Sequence, residues 1–94
     1  GWQAIRTLTA PLNASIEKEQ VALKNEGGSL NFMGAQDGMV GLEQRTTING
    51  EIKERKSFTF DQEASLNKEI KAGSFAIKIR SLENDILQAD FIKR

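Results

Sequence analysis

MVGLEQRTTINGEIKERKSFTF, residues 39–60, folds back on itself about Asn49-Gly50. Asn-Gly between two β-like runs is the strongest short-range signal for a two-residue type I′ hairpin, because both central residues need φ > 0. A two-residue loop sets the register. Ile48 is expected to face Glu51, Thr47 to face Ile52, Arg45 to face Glu54, Glu43 to face Lys56, Gly41 to face Phe58 and Met39 to face Phe60. Two of these pairs are opposite charges across the ladder, each contributing about 0.2–1 kcal/mol. The apolar residues gather at the base of the hairpin and the tip is polar on both faces. Such an arm projects past a core rather than covering it.

The rest of the chain reads as β in the same way. Residues 2–9 form a first strand ended by Pro11, and Leu30–Met33 a short strand. Residues 34–38 form a glycine-bounded loop leading into the hairpin. Residues 12–26 admit two readings. Leu12, Ile16 and Leu23 fit one helical face, with Asn13 as cap and Gly27-Gly28 as stop; Leu12-Ala14-Ile16 and Val21-Leu23 alternate as two short strands would. Near the C-terminus, a turn at Ala72-Gly73 pairs Ile70 with Phe75, Lys68 with Ile77 and Leu66 with Ile79. After a loop at residues 81–85, Leu87, Ala89 and Phe91 come opposite Ile79, Ile77 and Phe75. This is a three-stranded meander with one apolar and one wet face, the pattern of an antiparallel sheet on a core.

Seven or eight short strands with regular turn signals, and no linker or repeat, give one domain over residues 1–94. Its expected class is all-β, a single antiparallel β-sandwich of immunoglobulin-like or jelly-roll-like type, with a possible short helix near 14–26. The expected core holds Ile5, Leu8, Phe58, Phe60, Leu66, Ile70, Phe75, Ile77, Ile79, Leu87 and Phe91. The string LNKEIKAGSFAIKIRS, residues 66–81, resembles strand pairs of exported bacterial β-sandwiches: immunoglobulin-like modules, carbohydrate-binding modules, and pilus or surface-protein subunits. The resemblance implies architecture and an extracytoplasmic setting (periplasmic, cell-surface or secreted), and assigns no residue a role.

Composition excludes much chemistry. The 94 residues include no His, Cys or Tyr. His supplies most general bases and metal ligands, and Cys the most reactive nucleophile. Ser-His-Asp and Cys-His catalysis, disulfides and the usual zinc sites are therefore closed to this chain. Carboxylate and lysine chemistry and oxygen-ligand calcium sites remain, and the expectation is a non-enzyme without cofactor or metal. The 13 basic and 13 acidic residues cancel and are spread evenly along the sequence, so neither half attracts a polyanion or a membrane surface. No apolar run approaches the ~20 residues of a membrane span. The chain begins at Gly1 without Met, which reads as a processed or excised chain whose export signal would already be gone.

Candidate sites are few. Asp37 and the Glu83-Asn84-Asp85 loop carry oxygens suited to calcium but lack the spacing of a calcium loop. Asn13-Ala14-Ser15 is a glycosylation sequon, and Trp2, the one Trp, would stack on a sugar if exposed, although near the start of a strand it reads first as a packed side chain. Lys53, Arg55 and Lys56 form a basic cluster, but Glu43, Glu51 and Glu54 interleave with it, which argues against nucleic acid. The sequence therefore points to a non-catalytic interaction or structural module of a larger exported or surface-associated protein or assembly. It would bind a protein partner, or a second copy of itself, through the arm or its edge strand. The residues expected to carry this are Glu43, Arg45, Asn49, Gly50, Glu51, Lys53, Glu54, Arg55 and Lys56. The alternative is a ligand-binding or sensory domain that takes a carbohydrate, a small molecule or calcium at loops on one end.

Overall fold

The computed structural model describes residues 3–12, 21–25 and 27–93. Eight strands follow one another: β1 (Gln3–Pro11), β2 (Val21–Asn25), β3 (Gly28–Gln36), β4 (Met39–Ile48), β5 (Glu51–Asp61), β6 (Glu69–Ala72), β7 (Phe75–Ser81) and β8 (Ile86–Lys93). They form two antiparallel four-stranded sheets, β1-β8-β7-β6 and β2-β3-β4-β5. The second sheet runs in chain order; the first is the β6-β7-β8 meander with β1 added beside β8. Immunoglobulin-like and jelly-roll folds instead join strands by Greek-key connections.

Two tight turns build the second sheet. Asn49 and Gly50 have φ of 52° and 81°, and Asp37 and Gly38 have 55° and 75°, the doubly positive pattern of type I′ turns. The expected loop at residues 34–38 is therefore only its last two residues, and β3 runs straight through Gly34 to Gln36. Its right-handed twist is matched by the turn, so the strands need no longer connection.

The β4–β5 ladder starts in the expected register, with Ile48 opposite Glu51 and Thr47 opposite Ile52, and then departs from it. Thr46 faces Glu54, so Lys53 is the extra residue of a β-bulge. Below the bulge Arg45 faces Arg55, Gln44 faces Lys56, Glu43 faces Ser57, Leu42 faces Phe58 and Val40 faces Phe60. The expected pairs Arg45–Glu54, Glu43–Lys56, Gly41–Phe58 and Met39–Phe60 do not form. The cause is the core. A regular register sets both phenylalanines against Gly41 and Met39, whereas one inserted residue sets them against the buried Val40 and Leu42. Similar shifts at Ile5, Met33 and Arg80 re-phase the β1–β8, β3–β4 and β7–β8 ladders.

In the first sheet the turn is Gly73-Ser74, with Gly73 at φ 63°, and Ala72 faces Phe75. Ile70 therefore faces Ile77, and Phe91 and Ala89 face Ile77 and Ile79. Both ladders sit two residues away from the expected register. Side chains alternate with period two, so the slip preserves every face. Leu66 is different: it touches β7 only through one parallel bridge to Ile79 and is 39% exposed, so it leaves the expected core. The outward face is not wholly wet either, since Ala76 and Ile92 lie opposite each other and are both buried.

One buried apolar cluster draws on both sheets: Leu8, Phe75, Ile77, Ile79, Leu87 and Phe91 from the first, and Leu30, Phe32, Val40 and Leu42 from the second. Phe58, Phe60 and Ile70 pack on its margin, half buried. Each buried Phe, Ile or Leu contributes about 1.5–3 kcal/mol by leaving water. Val21–Asn25 is a strand, which decides the later part of the helix-or-strand segment. Residues 13–20 and 26, with the sequon, the Asn13 cap and Ile16, lie outside the described residues, as do Trp2 and the Ile5 side chain.

Candidate functional site

The core stops part-way along the β4–β5 hairpin. Its last members on these strands are Leu42 and, at the margin, Phe58. The next inward-facing pair, Gln44 and Lys56, is level with the β6–β7 turn: a Cβ built on Gly73 would lie 2.8 Å from Gln44 Nε2. Strand β3 accompanies β4 a little further, to the pair Gly28–Thr46, and the Thr47 N–H donates to the Gly27 carbonyl at 3.0 Å. Gly28 permits that approach. Its φ is 152° and a Cβ there would fall 2.0 Å from the Arg45 carbonyl oxygen, so only glycine fits without backbone movement. Past Thr47 the hairpin runs on alone.

The nine residues expected to bind a partner fall into two groups. Asn49, Gly50, Glu51 and Lys53 lie in the overhanging tip, and Glu54, Arg55 and Lys56 continue along β5; all seven are exposed. Glu43 and Arg45 belong instead to a central strand, flanked by β3 and β5, and are half buried. Arg45 Nε donates to Glu43 Oε1 along the strand, and Lys53 Nζ pairs with Glu51 Oε2 at 2.6 Å in the same manner. The charges are thus tied two residues apart on one strand rather than across the ladder. Lys56 Nζ sits 5.5 Å from the centre of the Phe58 ring, a cation–π contact that holds its stem against the core margin.

Two residues of the tip escaped the sequence reading. Ile48 and Ile52 are 53% and 44% exposed. Ile48 pairs with Glu51 and Ile52 with Thr47, so the two isoleucines stand on opposite faces of the ribbon. Their spacing on either side of Asn-Gly was visible; that no core would reach them follows only from where the first sheet ends.

The outward face of the second sheet carries a buried polar pair. Asn31 Nδ2 donates to Ser29 Oγ at 3.0 Å and to the Glu43 carbonyl at 3.1 Å, while Asn31 Oδ1 has no hydrogen-bond partner among the described residues. Further down, Gly34 faces Gly41 across the Asp37-Gly38 hairpin. With no side chains on that pair, a shallow open depression of about 350 Å³ forms between Met33, Met39 and Thr59, with Gln36 and Asp37 at its rim. Reading Asp-Gly as a turn would have paired these glycines.

The calcium candidates have plainer roles. Asp37 occupies a positive-φ turn position. In the Glu83–Asp85 turn, Asn84 and Asp85 have φ of 59° and 58°, and the Glu83 N–H donates to Ser81 Oγ at 3.2 Å. Among the described residues no three Asp or Glu side chains are grouped to hold a metal ion, and no helix is long and apolar enough to cross a membrane. Compared with known protein families, with characterised proteins and with solved structures, the chain matches none.

Proposed function

We propose that this chain is a non-catalytic interaction or structural module, a single β-sandwich of up-and-down strand order. It works within a larger exported or surface-associated protein or assembly outside the cytoplasm. Its contact element is the hairpin tip, residues 47–53, continued along the exposed side of β5, and its partner is a protein. One observation carries the reading: Ile48 and Ile52 stand exposed on opposite faces of a short-turned hairpin that extends beyond the core. Full burial of an Ile contributes about 1.5–3 kcal/mol, and these two, each about half exposed, leave roughly half of that for a partner's groove to recover.

The tip is a better contact than the whole β5 edge. Lower on β5, the bulge at Lys53 and the inward-facing Glu54 and Lys56 are the features by which edge strands resist indiscriminate pairing. A second reading, a small-ligand domain, draws on the depression between Met33 and Met39. Its open shape and backbone floor offer few convergent polar groups, so it takes second place.

A photo-crosslinking residue placed at Asn49 or Ile52 in the parent protein, in its own cells, tests the proposal. Adducts to a defined protein should form from these positions, whether or not Asp37 and Glu83 at the other end also yield them, and not from Thr7 or Thr9, which are exposed along β1. Adducts from Asp37 and Glu83 alone would move the contact to the other end of the molecule.

A further inference from the structure

We infer that the partner of the hairpin end is the opposite end of a second copy of this chain, so that copies associate head to tail along the strand direction. The inference rests on the tip being an interface and adds who occupies it.

Strand direction sorts the connections into two ends. The Asn49-Gly50 tip, the Gly73-Ser74 turn and the end of β8 lie at one; the Asp37-Gly38 turn, residues 61–68 and the Glu83–Asp85 turn lie at the other. Two hydrogen bonds hold residues 61–68 at that end: the Gln62 N–H donates to the Gly38 carbonyl at 2.9 Å, and the Asn67 N–H to the carbonyl of Ile79 in β7 at 2.8 Å.

The formal charge of the whole chain is zero, but among the described residues the ends differ in sign. Lys53, Arg55, Lys56, Lys71 and Lys93 collect at the hairpin end, against Glu51 and Glu54. Asp37, Asp61, Glu63, Glu83 and Asp85 collect at the far end, against Lys68. Between them the charges largely neutralise one another: Arg45 pairs with Glu43, Arg80 with Asp90 at 3.1 Å, and Lys78 faces Glu69 across the ladder. This alternation in space is invisible in sequence order.

The exposed large apolar residues follow the same division. Ile48 and Ile52 are at the basic end; Met39, Leu66 and Ile86 are at the acidic end, each between 37% and 39% exposed where the values are 37%, 39% and 39%. Among the described residues none lies along the sides. Each end therefore presents what an interface core and its polar rim require, with signs that attract the other end and repel its own kind. A contact joining unlike surfaces does not close on two copies and grows by addition. Side-by-side pairing through β5 would instead have to accommodate the Lys53 bulge and the inward-facing Glu54 and Lys56.

Light scattering across a concentration series of the full chain, in about 20 mM and about 500 mM salt, reads the association, which screening should weaken. Mass is expected to rise with concentration beyond dimer at low salt and to return to the 10.4 kDa monomer at high salt. Two charge-reversed variants then identify the surfaces. K53E/R55E/K56E makes both ends acidic, and E63K/E83K reverses part of the acidic end; all five positions are exposed, and circular dichroism verifies that each variant folds. Each alone should stay monomeric at low salt, and an equimolar mixture should associate again. Mass that stops at dimer, variants that associate as wild type does, or a chain that stays monomeric at low salt would overturn the head-to-tail contact. If the chain is monomeric and the tip still crosslinks to another protein, the tip reading stands and only the identity of its partner fails.

Discussion

Ile77 lies at 0% exposure in the middle of β7, opposite Ile70 on one side and Phe91 on the other. Truncation to Ala removes methylenes from a packed site and leaves a cavity, so Ile77→Ala should cost about 2–5 kcal/mol in urea unfolding. Leu66→Ala is its control: at 39% exposure the same kind of change should cost less than about 1 kcal/mol. Equal losses would mean that the burial assignment is wrong. Glycine positions give a second contrast. Gly28→Ala brings a Cβ to 2.0 Å from the Arg45 carbonyl oxygen at a φ of 152°, whereas the Gly41 Cβ would meet nothing nearer than Met33 Cβ at 3.7 Å. The first should destabilise by about 1–3 kcal/mol or more and the second by little, read in the same unfolding experiment.

At the scale of the element, the hairpin tests what the bulge does. Deleting Lys53 leaves a regular two-residue hairpin in which Leu42 still faces Phe58 and Val40 still faces Phe60. The deletion should therefore keep the fold, with a stability change within about 1 kcal/mol, and nuclear Overhauser contacts between those pairs should persist. Deleting Thr59 instead makes Phe58 and Phe60 neighbours in sequence, which must point to opposite faces, and should disrupt the ladder. The same element shows what sequence can and cannot carry. Asn49-Gly50 announces the turn because left-handed φ at two successive positions has few chemical solutions. Nothing in KERKS announces a bulge, because the reason for it lies in Leu42 and Val40 on the neighbouring strand. In β6–β8 a register error of two residues left the apolar face intact, since parity alone decides the face. In β4–β5 an error of one residue exchanged the faces and with them the expected ion pairs. Of the expected site, the tip was legible from its turn. The exposure of Ile48 and Ile52 was not, because it depends on where a separate sheet ends.

For the whole molecule, apolar burial and charge do different work, and salt separates them. The cluster drawn from both sheets is closed to water, and ions reach it only after unfolding. Among the described residues, the ion pairs Lys53–Glu51, Arg80–Asp90 and Arg45–Glu43 are exposed or partly exposed, and pairs of this kind contribute about 0–1 kcal/mol each. Many such pairs contribute nothing measurable and salt screens only part of the rest, so the expected loss is about 1 kcal/mol in total, which for a domain of this size is a change in Tm of about 4–8 °C. With no cysteine in the chain, reducing agent should leave Tm where it is. Scanning calorimetry at low protein concentration, in about 20 mM and about 500 mM salt, makes the measurement on the monomer. A much larger loss of Tm in salt would mean that charged contacts hold the two sheets together. A small one, beside an association that salt abolishes, would mean that the charges gathered at the two ends act between copies rather than within one.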